Sequence, residues 1–329
     1  MKVTERALVA LLGLLALSAC GSSPRPGPGT ARATTEPTIW LRKSSSIDPR
    51  KLPLCNHCYK AVTAAAPKKG FVYVCDPRAY QQVNGPGGKG GSWINDAAKT
   101  YDFTKKPVFG GSVYWGAAKF SITTIGDRRM FAGNGLPLGV PTGTFPVRMT
   151  DRAFRYDPNP SSIRRQAISF SIPRSPKVDP KGPHCNYKRV GITLDGIQLH
   201  GPLDSKGRDE LAYQLQDACT GDAQPGGGYH RHALGECVPN IHKRNALVGY
   251  ALDGFGIFSP YDKSGRELTR ANLDKCHGLT SKIPWDGKTV LMYHYVLTRD
   301  FPYSIACFRG KPVRNAFPPL PGGPPEQPY

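Results

Sequence analysis

The chain has 329 residues and a marked excess of basic residues, with 44 Lys and Arg against 24 Asp and Glu, which gives a net charge of +20 at pH 7. Its hydrophobic content of 39% is enough to build a core, so a chain that is disordered throughout is excluded. The 37 Gly and 32 Pro residues argue against a helical bundle. We therefore predict a mainly β fold with a few short helices.

The N-terminus has the layout of an export signal. A basic start precedes an apolar run at residues 7–17, which is too short to span a bilayer. The run ends in Leu17-Ser18-Ala19-Cys20, which resembles a bacterial lipobox. This resemblance implies removal of a signal peptide at residues 1–19 and anchoring to a lipid membrane through acyl chains on Cys20. The alternative is an ordinary secretory signal that is cut after a small residue.

Composition divides the rest of the chain into three parts. Residues 20–38 are rich in Pro, Gly, Ser and Thr, and we expect them to form a flexible tether. Residues 39–317 carry the large apolar side chains and should form the globular part. The Pro/Gly-rich residues 318–329 are expected to be a disordered tail. Together these features predict a lipoprotein at the bacterial cell surface, in the extracytoplasmic envelope.

Eight cysteines remain once Cys20 is set aside, and an even number in an exported chain favours four disulfides. They are Cys55, Cys58, Cys75, Cys185, Cys219, Cys237, Cys276 and Cys307. The two-residue spacing between Cys55 and Cys58 also suits a zinc knuckle or a thioredoxin-type redox pair. The sequence leaves the pairing of the first four cysteines open.

The second half of the chain contains an internal duplication. Residues 190–204 align with residues 248–262 at an offset of 58. Each stretch contains an Asp-Gly pair between short apolar runs, which predicts a hairpin with a tight turn. We therefore expect two hairpin-based repeats, at residues 190–237 and 248–310, packed as one unit.

Each repeat also contains a predicted strand with a histidine, His230 in the first repeat and His294 in the second, which we call the histidine strand. One cysteine precedes this strand and another lies at the end of the repeat. Pairing Cys219 with Cys237, and Cys276 with Cys307, would attach each histidine strand to the turn before it. The two Asp-Gly aspartates are expected to serve turn chemistry alone.

Each repeat contains a short segment with a Tyr-His pair, Gly228-Tyr-His-Arg-His-Ala233 in the first and Met292-Tyr-His-Tyr-Val-Leu-Thr298 in the second. These segments resemble the tyrosine–histidine motif of the YHYH-domain family of exported bacterial proteins. Further similarity at residues 129–146 and 301–310 extends the resemblance over about residues 93–310. Arg231 stands where the family usually has Tyr, and Val296 where it usually has His. The resemblance implies a domain type without an established reaction.

The histidines of these motifs suggest a metal site. His230 and His232 share one face of an extended strand, and His294 takes the place of His230 in the second repeat. If a pseudo-twofold axis brings the two strands together, His230, His232 and His294 could bind zinc or copper. A further ligand could be His200, His277 or a hairpin aspartate. The alternative is that the imidazoles are hydrogen-bonded residues of a core.

The basic excess lies outside the repeats. Residues 190–310 hold 13 basic and 13 acidic residues, whereas residues 148–189 hold 10 basic and 3 acidic ones. A basic region on an exported protein predicts contact with anionic envelope polymers rather than with nucleic acid. The alternative is a solvated surface without a partner.

These observations favour an envelope-surface binding protein with a histidine metal site. A hydrolase of envelope polymers and a purely structural or adhesive module are the alternatives, and the sequence identifies no set of catalytic residues.

Overall fold

The computed structural model describes residue 44, residues 46–81 and residues 88–317. Several predicted features lie outside the described residues, namely the signal peptide at 1–19, the tether at 20–38, the lipidated Cys20 and the tail at 318–329. The described residues contain no helix with the length and apolar character that a bilayer crossing requires.

The prediction of a mainly β fold is confirmed, because the described residues form sixteen strands and one α-helix. The strands before the repeats are β1 (Leu52–Pro53), β2 (Tyr59–Ala61), β3 (Val72–Val74), β4 (Ile94–Asn95), β5 (Thr100–Tyr101), β6 (Phe120–Ile125), β7 (Arg128–Gly133) and β8 (Ile168–Pro173). The first repeat contains β9 (Arg189–Thr193), β10 (Gln198–His200), α1 (Glu210–Tyr213), β11 (Gly221–Ala223) and β12 (Tyr229–Arg231). The second repeat contains β13 (Leu247–Ala251), β14 (Gly256–Phe258), β15 (Gly278–Trp285) and β16 (Lys288–Val296). Short 3-10 helices lie at Pro77–Tyr80, Phe103–Lys105 and Arg270–Asn272.

Both repeats contribute four strands to one eight-stranded sheet with the order β11-β12-β10-β9-β13-β14-β16-β15. Within each half the first two strands form the predicted antiparallel hairpin. The second strand of each hairpin then pairs in parallel with the histidine strand, as β10 with β12 and β14 with β16. The strand order of one half is thus the mirror of the other about the β9–β13 junction.

The β9–β13 junction depends on two glycines at equivalent positions of the repeats. A Cβ on Gly191 would lie 2.5 Å from the Tyr250 carbonyl oxygen, and a Cβ on Gly249 would lie 2.5 Å from the Ile192 carbonyl oxygen. Such contacts are too short for any side chain, so glycine is required where the first strands of the two halves pair. The junction is an antiparallel ladder in which residues 249–251 pair with residues 191–193.

A single hydrophobic core joins the repeats to the part of the chain that precedes them. Val190, Ile257 and Tyr295 of the large sheet belong to the same buried cluster as Val74 and Phe131 from the earlier strands. Burial of apolar surface contributes about 25 cal/mol per Å². The earlier region therefore stabilises the sheet directly.

Four disulfides reinforce this arrangement: Cys55–Cys58, Cys75–Cys185, Cys219–Cys237 and Cys276–Cys307. The last two are the pairs that the duplication predicts. The first one excludes the zinc-knuckle hypothesis for Cys55 and Cys58, since disulfide sulfurs are not thiolate ligands. A thioredoxin-type pair would open a helix, whereas here β2 follows at Tyr59.

The loop lengths of the disulfides predict unequal contributions to stability. Cys75 and Cys185 are 110 residues apart and Cys55 and Cys58 are 3 apart. Because a longer loop removes more entropy from the unfolded chain, replacing the Cys75–Cys185 pair by Ala should lower the free energy of unfolding by about 4–5 kcal/mol. Replacing Cys55–Cys58 should cost less than about 2 kcal/mol. Denaturant unfolding of the two double variants measures both values, and equal losses would contradict the prediction.

Candidate functional site

The register between β10 and β12 brings three histidines to one face of the large sheet. Gln198 lies beside His230 in this parallel pair. Since alternate residues of a strand share a face, His200 lies on the same face, beside His232. The four side chains therefore form one polar group on this face of the sheet.

The three imidazoles of His200, His230 and His232 are buried and close together. One ring nitrogen from each lies within 4.8 Å of the others. The Nε2 atoms of His230 and His232 are 3.1 Å apart. Two nitrogens bound to one zinc ion at about 2.0–2.1 Å lie about 3.3 Å apart in a tetrahedron, so this pair has the spacing of a metal site.

The other ring nitrogen of His232 is already bonded. Its Nδ1 lies in hydrogen-bond contact with the Gly201 carbonyl oxygen, which can only accept, so Nδ1 carries the proton. Nε2 then carries the free lone pair, which is directed towards His230. Such a backbone contact orients metal-binding histidines in many proteins.

Two carboxyl groups border the three imidazoles. Asp222 lies opposite His230 in the antiparallel β11–β12 pair, and its Oδ1 is 3.1 Å from His230 Nε2 without hydrogen-bond geometry. Glu210, the first residue of α1, has its Oε2 3.9 Å from His232 Nδ1. Asp222 Oδ1 and Glu210 Oε2 are buried without a hydrogen-bond partner. Buried polar atoms are nearly always paired, so two such oxygens beside the imidazoles indicate a missing ligand.

Lys106 approaches the site from the region before the repeats. Its ammonium contacts Gln216 Oε1, and Gln216 Nε2 donates to Glu210 Oε1 at 2.8 Å. Burial lowers the pKa of Lys106 to about 8 and raises that of Glu210 to about 8. Burial also raises the pKa of Asp222 well above its ordinary value, and the neighbouring Glu210 charge adds to this shift.

The same burial keeps the histidines neutral. It lowers the pKa of His230 to about 4, and it lowers those of His200 and His232 well below the ordinary value, with the neighbouring His230 adding to both shifts. Neutral imidazole is the form that ligates metals, because protonation occupies the nitrogen lone pair. At pH 7 the three rings are therefore ready to bind a cation.

The structure separates His294 from this cluster, so the expectation that the two histidine strands meet is wrong. β12 and β16 are the second and seventh strands of the sheet. At about 4.8 Å per strand they lie about 24 Å apart. The physical reason is that the repeats join through their first strands, β9 and β13, which leaves each histidine strand on the outer side of its own half.

The other suggested ligands are also engaged elsewhere. His277 Nε2 is 2.8 Å from the Thr298 hydroxyl in the second repeat. Asp195 accepts from Thr193 Oγ1 at 2.6 Å and from Arg231 Nη1 at 3.0 Å. Asp253 accepts from the Tyr295 hydroxyl at 2.6 Å. The Asp-Gly aspartates thus do more than shape turns, since each one anchors a residue of its own histidine strand.

Hydrogen bonds to aspartates explain the tyrosines of the two motifs. In the first repeat the Tyr229 hydroxyl donates to Asp217, and in the second the Tyr293 hydroxyl donates to Asp274, both within 3.0 Å. Arg231 and Tyr295 occupy equivalent positions and bind Asp195 and Asp253 respectively. The departure from the family pattern at Arg231 therefore replaces a hydrogen bond by an ion pair and leaves its partner unchanged.

Comparison of the two repeats shows which residues are specific to the histidine site and which positions the fold shares. Strand register and the equivalent bridges Leu203–Asp209 and Tyr261–Glu267 define matching positions. The site residues His200, Glu210, Asp222, His230 and His232 correspond to Phe258, Leu268, Leu279, His294 and Val296. Four of the five polar residues are replaced by apolar ones while the backbone arrangement is retained. The fold itself therefore does not require the polar set.

Sequence reasoning missed three contributors, namely Asp222, Glu210 and Lys106. For the first two a signal was present, because each acidic residue aligns with a leucine in the other repeat. Lys106 carries no such signal, since it lies outside the duplication and reaches the site only through the fold.

The predicted family resemblance is confirmed over part of the chain: residues 169–269 match the family model described as YHYH protein. This stretch includes the whole first-repeat site and ends before Tyr293. No curated protein and no solved structure gives a significant match to the chain.

The anchoring role of position 231 can be tested by exchange between the repeats. Arg231→Leu removes the cation that pairs with the buried Asp195 carboxylate, which keeps the hydrogen bond from the Thr193 hydroxyl, and should lower the free energy of unfolding by about 3–5 kcal/mol. Arg231→Tyr, which copies Tyr295, should lose at least about 2 kcal/mol less, because a phenol can donate to the same carboxylate.

Denaturant unfolding measures both variants. Tyr295→Phe serves as the matched change in the second repeat and should cost about 1–3 kcal/mol. Equal losses for Arg231→Leu and Arg231→Tyr would contradict this role for the residue.

Proposed function

We propose that this chain is an extracytoplasmic metal-binding protein whose first repeat holds one zinc or copper ion through His200, His230 and His232. Asp222 or Glu210 would supply a carboxylate oxygen as the fourth ligand. Three neutral imidazoles with a carboxylate suit both metals, because nitrogen ligands are favoured by zinc and by Cu(II).

The observation that carries this proposal is the clustering of three buried imidazoles with unpaired carboxylate oxygens at a position where the second repeat has mostly apolar side chains. If the histidines served packing alone, the second repeat shows that Phe258, Leu268, Leu279 and Val296 would suffice. Burying unpaired polar atoms costs free energy unless a ligand satisfies them. A bound cation would satisfy them.

The burial of the histidine site favours metal binding over the hydrolysis of a polymer. The side chains of Asp222, His230 and His232 are 6%, 7% and 11% exposed. A polymer substrate could not reach a site so nearly closed, which disfavours the hydrolase hypothesis. A retained cation is the better match.

An exported location is consistent with this proposal, because four disulfides require an oxidising compartment. We also propose that acyl chains on Cys20 hold the protein at the membrane, so that the metal site lies in the envelope.

The basic surface supports a further part of the proposed role, which is binding of anionic envelope polymers. Eight of the ten basic residues at 148–189 are exposed, namely Arg148, Arg152, Arg155, Arg164, Arg165, Arg174, Lys177 and Lys181. Clustered exposed cations attract polyanions, and the attraction weakens as salt screens the charges.

Metal binding is tested by loading the chain with Zn²⁺ or Cu²⁺ and measuring bound metal after dialysis. We expect about one equivalent, and His200→Ala, His230→Ala and His232→Ala should each weaken binding by at least about 100-fold. The matched control is His294→Ala, which removes the equivalent of His230 from the second repeat and should bind metal normally.

A folding readout accompanies this test. Saturating metal at about 100 times Kd should stabilise the unsubstituted chain by about 2.7 kcal/mol and should not stabilise the three variants. Less than about a tenth of an equivalent bound to the unsubstituted chain, or an equal loss in His294→Ala, would sink the proposal.

Polymer binding is tested with poly(glycerol phosphate) as the probe. Charge reversal of Arg148, Arg152 and Arg155 to Glu should weaken binding at least about tenfold at low salt, and the difference should shrink at about 1 M salt. Reversal of the exposed Lys243, Lys275 and Lys288 changes the net charge equally and is the control. Equal effects of both triple variants would mean that net charge alone, and not this region, attracts the polymer.

A further inference from the structure

The second repeat has a surface cavity at the position that corresponds to the histidine site of the first repeat. The cavity has a volume of about 230 Å³, and its lining includes all five equivalents of the metal-site residues. The same backbone position therefore carries a buried polar cluster in the first repeat and a surface cavity in the second.

The floor of this cavity is apolar. Phe258, Leu268 and Val296 are buried there, and Leu279 is half-buried beside them. Leu268 and Val296 form a small hydrophobic cluster of their own, apart from the main core. Such a floor offers burial to an apolar ring or a short alkyl group, which contributes about 25 cal/mol per Å² of covered surface.

His294 is the one imidazole in the lining. Its Nδ1 is 3.3 Å from the Met292 carbonyl oxygen, so Nδ1 carries the proton. Burial lowers the pKa of His294 to about 4, and the ring is therefore neutral at pH 7. Its Nε2 then offers a hydrogen-bond acceptor within an apolar surface, and a ligand hydroxyl is the group that can donate to it.

The rim of the cavity is basic. Lys263, Arg266 and Lys282 line it together with one carboxylate, Asp262. Arg266 is paired with Asp262 at 3.2 Å. No carboxylate among the described residues lies within ion-pair distance of Lys263 or Lys282, and both ammonium groups remain available for an anionic group at the mouth.

We propose that this cavity binds a small aromatic carboxylate that carries a hydroxyl group. The ring would lie against Leu279, with Phe258 and Val296 beneath it, the hydroxyl would donate to His294 Nε2, and the carboxylate would face Lys263 and Lys282. An engineered protein cavity of about 150 Å³ accepts benzene, so 230 Å³ is enough for one substituted ring. The inference is independent of metal binding in the first repeat.

The probe for this test is 4-hydroxybenzoate, with binding to the full chain followed by calorimetry or ligand-observed NMR. We expect a dissociation constant of about 1 mM or lower. Benzoate lacks the hydroxyl and phenol lacks the carboxylate, and each should bind about three- to tenfold more weakly.

Substitutions in the cavity test each proposed contact with the probe separately. Val296→Phe should fill the cavity and abolish binding. Lys263→Ala with Lys282→Ala should weaken 4-hydroxybenzoate about three- to tenfold and leave phenol unchanged. His294→Phe should remove the preference for 4-hydroxybenzoate over benzoate. The control pair is Lys275→Ala with Lys288→Ala, which removes two exposed charges away from the cavity.

The lysine pair is exposed, so its substitution tests the proposal even if Val296→Phe fails to fold. The metal-site variant His230→Ala should bind the probe as the unsubstituted chain does. No binding at about 10 mM probe, equal affinities for all three compounds, or insensitivity to both the lysine pair and His294→Phe would overturn the proposal.

Discussion

The Asp217 carboxylate accepts hydrogen bonds from the Tyr229 hydroxyl and from the amides of Cys219 and Gly221, and Asp274 does the same for Tyr293, Cys276 and Gly278. Each carboxylate therefore ties a histidine strand to the turn before it, at the place where a disulfide also begins. The Asp217 carboxylate is buried, so losing one of its partners would carry a large desolvation cost. Asp217 thereby helps to hold the strand of His230, and Asp274 makes the same contacts beside the strand of His294.

The duplication shows which contacts hold the fold and which residues are specific to one repeat. The tyrosine–aspartate contacts, the disulfides and the junction glycines occur in both repeats, and they hold the sheet. The histidine and carboxylate set occurs in the first repeat alone. At the equivalent position the second repeat has a cavity with an apolar floor and a basic rim, which supports a cation in one half and an aromatic carboxylate in the other.

Much of this architecture was predictable because it depends on local pattern. The Asp-Gly turns, the alternation of His230 with His232 and the two repeat disulfides follow from spacing and from comparison of the copies. The metal hypothesis placed His230 and His232 together for the same reason, and it gave His200 as one of several possible further ligands. It erred on His294 because the duplication alone does not say which strands of the two halves pair, and that choice fixes whether the histidine strands lie inside or outside the sheet.

Composition, turn signals and the internal duplication are enough to predict a chain rich in β structure, two copies of one unit and histidines on one face of a strand. The polar groups around those histidines are set by the packing of the folded chain. Lys106 lies far from the repeats along the chain, and Asp222 and Glu210 enter the site through strand pairing and a helix start. Contacts between residues distant in sequence arise from packing of the whole core, and a single sequence contains no local pattern that encodes them.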